Sequence, residues 1–198
     1  MVEISAAMVK ELRERSGVGI MDCKEALKEC NGDMEKASDY LRKKGLATAQ
    51  KRAGRIASDG TIQSYIHMGG KIGVLVEVNC ETDFVAKTDG FQEFVKNIAM
   101  HIAAASPLGV VPEDITPDVI DREKEIYKAQ ALEMGKPENM LDKIIEGKMS
   151  KFYKESCLMD QPYVRDPSKT ITDILNDMIG KTGEKITINR FARFQIGR

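Results

Sequence analysis

Gly60-Thr61-Ile62-Gln63-Ser64-Tyr65-Ile66-His67-Met68-Gly69-Gly70-Lys71-Ile72-Gly73-Val74-Leu75-Val76-Glu77-Val78 alternates in character with period two on either side of a Met-Gly-Gly break. Ile62, Ser64 and Ile66 alternate with Thr61, Gln63, Tyr65 and His67, and Ile72, Val74, Val76 and Val78 share one face of the second half. Side chains on a strand point to opposite faces in turn, so the pattern predicts a β-hairpin. A lone hairpin is marginal in water. The segment Lys185-Ile186-Thr187-Ile188-Asn189-Arg190-Phe191-Ala192-Arg193-Phe194 has the same texture, and we expect it to complete a three-stranded antiparallel sheet.

Outward from the hairpin the period changes to that of helices. Asp89 and Gln92 are spaced as a capping box, and Phe91, Phe94, Val95, Ile98, Ile102 and Ala105 form one stripe ending at Ser106-Pro107. That stripe reads as core for the sheet rather than as a cofactor box. Between Val111 and Glu146 ten acids outnumber five bases, on two helical stretches parted at Gly135-Lys136-Pro137. These predict an antiparallel helical hairpin, polar on its outer side, over about 117–160. A short helix from about Thr170 to Ile179 leads into the last strand.

Before the hairpin lie three short helices. Ser5 suits an N-cap, with Ile4 and Val9 as a hydrophobic staple, and Ser16-Gly17-Val18-Gly19 breaks the first helix. Asp22, with Glu25 three residues on, is expected to cap the second, and Asn31-Gly32 to stop it. Asp33 caps the third, Lys43 and Lys44 suit its negative end, and Gly45 is expected to close it. From Arg42 to Arg55 there are six basic residues and no acid. This run is a phosphate-contacting patch or a solvated tether, and the lack of interleaved aromatics favours the tether. The whole reads as α+β.

Composition narrows the function. The 198 residues carry 30 Lys+Arg against 31 Asp+Glu, a formal net charge of −1, which argues against a generic nucleic-acid binder. No apolar run approaches the ~20 residues of a membrane-spanning helix. Met1-Val2-Glu3-Ile4-Ser5 lacks the basic and apolar regions of a secretory leader, so we expect a cytoplasmic chain. Cys23, Cys30, Cys80 and Cys157 form no C-x-x-C pair, and His67 and His101 stand near no ligand cluster, which predicts reduced, mostly buried thiols and no metal.

Motifs for catalysis are weak. Gly180-Lys181-Thr182 ends like a phosphate loop, but Leu175 stands where the first glycine belongs and a helix precedes it. We read it as a helix stop. Ser16-Gly17-Val18-Gly19-Ile20 follows no strand, so it is not a dinucleotide fingerprint. It is a core turn or a contact surface presenting Val18, Ile20 and Met21. No nucleophile–base arrangement is evident, and we expect no enzyme activity.

The segment Glu77-Val78-Asn79-Cys80-Glu81-Thr82-Asp83-Phe84-Val85-Ala86-Lys87 runs from a buried strand into a polar turn that holds an aromatic. Phe84 either folds back under the following helix or is offered to a partner as an anchor. The residues alone leave both open. The segment resembles the signature of the translation elongation factor Ts family. Leu12-Arg13-Glu14-Arg15-Ser16-Gly17-Val18-Gly19-Ile20-Met21-Asp22-Cys23-Lys24-Glu25-Ala26-Leu27 resembles that family's N-terminal motif, with Ser16 where threonine is usual. The basic run and the stretch from Lys148 to Thr170, with Gln161-Pro162-Tyr163-Val164 and Pro167-Ser168-Lys169-Thr170, are also similar to the family.

The resemblance implies a fold and a task. It implies a ubiquitin-associated-like three-helix domain over 1–45, a basic linker over 46–59, and a core over 60–198 with a protruding helical hairpin. It implies a nucleotide-exchange factor for the GTPase elongation factor Tu, without a cofactor and without direct nucleotide binding. Thr82, Asp83, Phe84 and Val85 would disturb the Mg²⁺ site of that partner, with Phe84 as wedge and Asp83 supporting it. Arg13, Ile20 and Met21 would touch the GTPase from the N-terminal helices. Longer members carry two related core halves where this chain has one, which implies a homodimer through the sheet or its strands. The alternative is an adaptor that binds RNA or ribosomes through the basic run. No membrane binding and no stable nucleic-acid binding are expected of the exchange factor.

Overall fold

Helix boundaries in this chain follow side-chain and glycine chemistry that is local at some ends and distant at others. The computed structural model describes residues 4–197, so the reading made on Met1-Val2-Glu3 lies outside the described residues. The described chain holds eight α-helices and a three-stranded antiparallel sheet, an α+β arrangement. None of its helices is long and apolar enough to cross a membrane. Two compact units divide the described residues: 4–61 with 78–95 and 173–187, and 62–77 with 96–172 and 188–197.

The first unit contains α1 (Ala6–Ser16), α2 (Ile20–Glu29), α3 (Met34–Arg52), α4 (Asp83–Ala86) and most of α8 (Ile171–Thr182). Ser5 caps α1 by accepting a hydrogen bond from the Met8 amide, and Asp33 caps α3 by accepting from Glu35 and Lys36. Gly17, at φ 68°, ends α1 in the left-handed conformation that a residue without Cβ adopts freely. Val9, Leu12, Cys23, Ala26, Leu27, Ala37 and Leu41 form the shared core of α1, α2 and α3, with Ile4 packed against it.

Three expectations in this unit are corrected. Asp22 is not the cap of α2: Gly19 is, without a side-chain hydrogen bond, and the Asp22 carboxylate accepts from Lys44 at 2.9 Å instead. Gly45 does not close α3, which runs on to Arg52. Gly45 and Gly180 are where α3 and α8 approach each other: a Cβ built on Gly180 would lie 3.2 Å from the Gly45 Cα. For the same reason Gly180-Lys181-Thr182 is not a helix stop but the last turn of α8, and the chain turns at Gly183, at φ 68°. The phosphate-loop geometry is therefore missing at these three residues, in agreement with the sequence reading.

The basic run is also not a free tether. Arg42 pairs with Asp173 at 3.0 Å, Lys44 with Asp22 and Glu25, and Arg52 and Arg55 both with Glu81. Four of the six basic residues thus hold carboxylates of the same unit. A run that looks solvated in one dimension is satisfied by acids far along the chain.

The second unit holds most of the sheet: β1 (Asp59–Ile66), β2 (Ile72–Cys80) and β5 (Thr187–Gln195), in the order β1-β2-β5. The hairpin turn closes with the His67 amide donating to the Ile72 carbonyl and the Gly70 amide to His67. Val74, Val76, Val78 and Cys80 are buried along one face of β2, as the alternation requires, while Leu75, Ile62, Ile66 and Phe194 are exposed. Helix α5 (Asp89–Ala105) buries Phe91, Phe94, Val95, Ile98 and Ile102. Its cap differs from expectation: Thr88 accepts from the Phe91 amide, and the Gln92 side chain donates to the Ala86 carbonyl. The antiparallel helical hairpin is α6 (Pro117–Glu133) and α7 (Leu141–Ser156), turning at Gly135. After it, β3 (Pro162–Tyr163) and β4 (Asp166–Thr170) form a two-stranded sheet that the sequence did not suggest.

Candidate functional site: the strand-end turn and the N-terminal edge

Strand β2 ends at Cys80, and the chain turns at once into α4, a helix of four residues. Thr82 caps it with extended backbone, its hydroxyl oxygen accepting from the Val85 amide at 3.4 Å. One short turn leaves little room to bury every side chain. Ala86 is buried, while Phe84 stands 80% exposed. The fold-back alternative for Phe84 is thus excluded, because an aromatic tucked under α5 would be covered.

Charged groups brace the turn that carries this ring. Asp83 and Lys87, one helical turn apart, pair at 2.6 Å. The Lys87 hydrogen bond holds the Asp83 carboxyl below the ordinary carboxylate range, and the Lys87 ammonium is raised in return. Glu81, just before the turn, accepts from the Lys185 amide at 2.6 Å and from Arg52 and Arg55 at 3.0 and 2.9 Å. The Lys185 amide first, then the two guanidiniums, depress the Glu81 pKa to about 2 against the opposing effect of burial. From the other side Glu184 accepts from the amides of Glu81 and Thr82, each at 3.1 Å, and from the Thr82 hydroxyl at 2.6 Å.

Sequence reasoning missed this surround. Glu184 lies 102 residues from Thr82, and Arg52 29 residues from Glu81, so no local pattern links them. The one available signal was the unbroken basic run, whose acids had to be somewhere.

The N-terminal set sits on different elements of the same unit. Arg13 is exposed on α1, and Ile20 and Met21, the first two residues of α2, are 53% and 75% exposed. Gly17 and the uncapped Gly19 place both apolar side chains at a helix edge. The alternative of a core turn holds for Val18, which packs against the helical core, but not for Ile20 and Met21.

Other titratable groups are engaged structurally. His101 is fully buried, its Nδ1 accepting from the Val164 amide and its Nε2–H donating to Gln161 Oε1 at 3.0 Å. Burial lowers its pKa against the opposing hydrogen bond to Gln161, in keeping with an Nδ1 that accepts from Val164. Cys23, Cys80 and Cys157 are buried and all four cysteines are free thiols. Among the described residues no group of three His, Cys, Asp or Glu is placed to hold a metal ion.

Comparison with known proteins identifies the family. The family model described as "Elongation factor TS" matches residues 34–198. Elongation factor Ts of Desulfosudis oleivorans is 63% identical over 194 residues, covering 98% of this chain and 98% of its relative. The Syntrophobacter fumaroxidans protein of the same name is 63% identical over 196 residues, covering 99% and 98%. That of Geobacter sulfurreducens is 61% identical over 196 residues, covering 99% and 91%. The 77–87 stretch lies within the family match and the 12–27 stretch lies before it, covered by the relatives instead; the chain belongs to the elongation factor Ts family.

Proposed function

We propose that this chain accelerates GDP release from elongation factor Tu by pressing the Thr82-Asp83-Phe84-Val85 turn against the GTPase near its Mg²⁺ site. Family membership already makes it a translation elongation factor that serves nucleotide exchange. The observation that carries the finer reading is Phe84, held 80% exposed on a turn whose every flank is braced. Leaving such a ring in water forgoes about 2 kcal/mol of burial, recovered when a partner covers it. Asp83, the residue before Phe84, is paired with Lys87 and puts a carboxylate on the same turn.

The chemistry needs no covalent step. Mg²⁺ neutralises charge between nucleotide phosphates and the GTPase, so displacing its ligands loosens GDP without any contact to the nucleotide. Factor and nucleotide then bind with negative coupling, and GTP binding expels the factor by the same coupling. Arg13, Ile20 and Met21 supply a second contact from the N-terminal helices, which act as a ubiquitin-associated-like module over 1–45, with α3 continuing beyond it to Arg52. The RNA-adaptor alternative loses its main support, since Arg42, Lys44, Arg52 and Arg55 are engaged by carboxylates.

The working form is a homodimer in this reading. Ile62, Ile66, Leu75 and Phe194 leave apolar area exposed on the sheet strands, the kind of surface a second copy covers. Sedimentation at micromolar concentration would show a dimer, and a monodisperse monomer would contradict it. The activity itself is tested with labelled GDP bound to elongation factor Tu. Addition of this chain speeds release many-fold; release at the unassisted rate would refute the exchange reading.

A further inference from the structure

Two short segments on either side of the exchange turn trade hydrogen bonds in a crossed pattern. The Glu184 carboxylate takes the amide protons of Glu81 and Thr82, while the Glu81 carboxylate takes the amide proton of Lys185. Each segment therefore gives backbone donors to the other's acid. The Thr82 hydroxyl donates to Glu184 Oε1 at 2.6 Å while its oxygen accepts from Val85, so the cap of α4 is itself tied down.

A third segment closes the assembly. Arg52, the last residue of α3, and Arg55 just beyond it grip the two oxygens of Glu81. The Lys185 ammonium donates to the carbonyls of Ala53 and Arg55 at 2.8 and 2.7 Å, capping the end of α3. With a side chain only 17% exposed, Glu81 is more covered than either guanidinium that grips it, Arg52 at 26% or Arg55 at 55%. Charge-assisted bonds to a largely covered carboxylate are the strong class, unlike ordinary surface ion pairs.

We propose that Glu184 and Glu81 are positioning residues for nucleotide exchange: their crossed carboxylate–amide bonds fasten the Thr82–Val85 turn to the C-terminal end of α3, so that Phe84 is presented in one orientation. Neither acid touches the partner; both act through the turn. The proposal rests on the reading that Phe84 works on the GTPase, and it assigns a purpose to the basic residues 52 and 55. A four-residue helix has too few internal bonds to hold its own direction. Without the clamp, the ordering of the turn would have to be supplied on binding, at the expense of exchange.

The test measures GDP release from elongation factor Tu against factor concentration, for Glu184→Ala and Glu184→Gln, alone and combined with Phe84→Ala. Glu184→Ala lowers the plateau rate roughly tenfold by loss of preorganisation. Its half-saturating concentration moves little, because Arg13, Ile20 and Met21 are untouched. Glu184→Gln keeps an oxygen for the two amides and an NH₂ for the Thr82 oxygen, so it stays within about threefold of the unaltered chain. In the Phe84→Ala background the Glu184→Ala change adds no more than about twofold, since it acts through that ring.

Should Glu184→Ala fail to fold, Glu81→Gln replaces it. That variant keeps the acceptor for Lys185 but not the charge facing Arg52 and Arg55, and lowers the plateau about threefold only while Phe84 is present. Amide exchange provides a readout independent of the GTPase: the Glu81 and Thr82 amides exchange faster in Glu184→Ala. An unaltered plateau, or equal losses with and without Phe84, overturns the positioning role. If Phe84→Ala itself exchanges like the unaltered chain, the underlying reading fails first and the two failures are told apart.

Discussion

The strand-end turn and the start of α2 both put apolar side chains into water, yet the chain builds them in opposite ways. Phe84 rides on a four-residue helix fastened by Thr82, Glu81 and Glu184. Ile20 and Met21 open a helix whose cap is a glycine with no side-chain bond, two residues after a left-handed glycine. One surface is stiff and carries a single large ring. The other has no side-chain cap and carries two flexible side chains, one of them a methionine that adapts to its neighbour. In the proposed reading the braced wedge works on the partner's geometry, whereas the apolar edge of α2 supplies affinity.

That contrast makes graded predictions. Phe84→Ala removes about 2 kcal/mol of burial from the step that expels GDP, so the plateau release rate falls roughly 30-fold. A plateau unchanged by that substitution would erase the distinction. Ile20→Ala with Met21→Ala raises the half-saturating concentration roughly tenfold while the plateau stays within about twofold, both side chains being partly solvated already. A loss of plateau equal to that of Phe84→Ala would make the two regions equivalent.

Acid separates the regions further. The Glu81 carboxyl has its pKa depressed from an ordinary 4.5 to about 2 by Lys185, Arg55 and Arg52, so its stabilising effect is full above pH 4.5. It is lost as pH falls through 2. Thermal unfolding followed between those limits falls more steeply for the unaltered chain than for Glu81→Gln, while the amides at the start of α2 show no such dependence on Glu81. The smallest effect is expected at the start of α2. Gly19→Ser supplies the missing cap of α2 and raises stability by about 0.3 kcal/mol in denaturant unfolding. A Cβ there meets only Asp22 Oδ2, at 3.4 Å, so no clash opposes it.

How far the sequence foretold these regions depends on the range of the interaction. Ser5 and Asp33 act on amides two or three residues away, and their caps were legible. The hairpin around Gly69-Gly70 and the helical hairpin around Gly135 were legible for the same reason, periodicity flanking a turn residue. Asp22 could have capped α2 by spacing alone, but Lys44 offers its carboxylate a charged partner and Gly19 takes the cap. Gly45 illustrates the limit more sharply. A glycine near a helix end reads as a stop, yet its lack of a side chain serves equally well to let α3 meet Gly180 of α8. Only the three-dimensional neighbour decides. At the candidate site, Phe84 was visible as an unexplained aromatic, but the carboxylates that brace it were not, since Glu184 and Thr82 are 102 residues apart.

The central claim is that the Phe84 turn acts through the GTPase's Mg²⁺. It is tested most directly by measuring the acceleration of GDP release from elongation factor Tu at millimolar free Mg²⁺ and again with Mg²⁺ chelated. If the turn works by dislodging the ion, chelation does part of its task beforehand. The acceleration by the unaltered chain should then shrink at least tenfold, about 1.4 kcal/mol of barrier. Over the same change, the acceleration left in Phe84→Ala should hardly alter. An acceleration by the unaltered chain that is the same with and without Mg²⁺ would contradict the account.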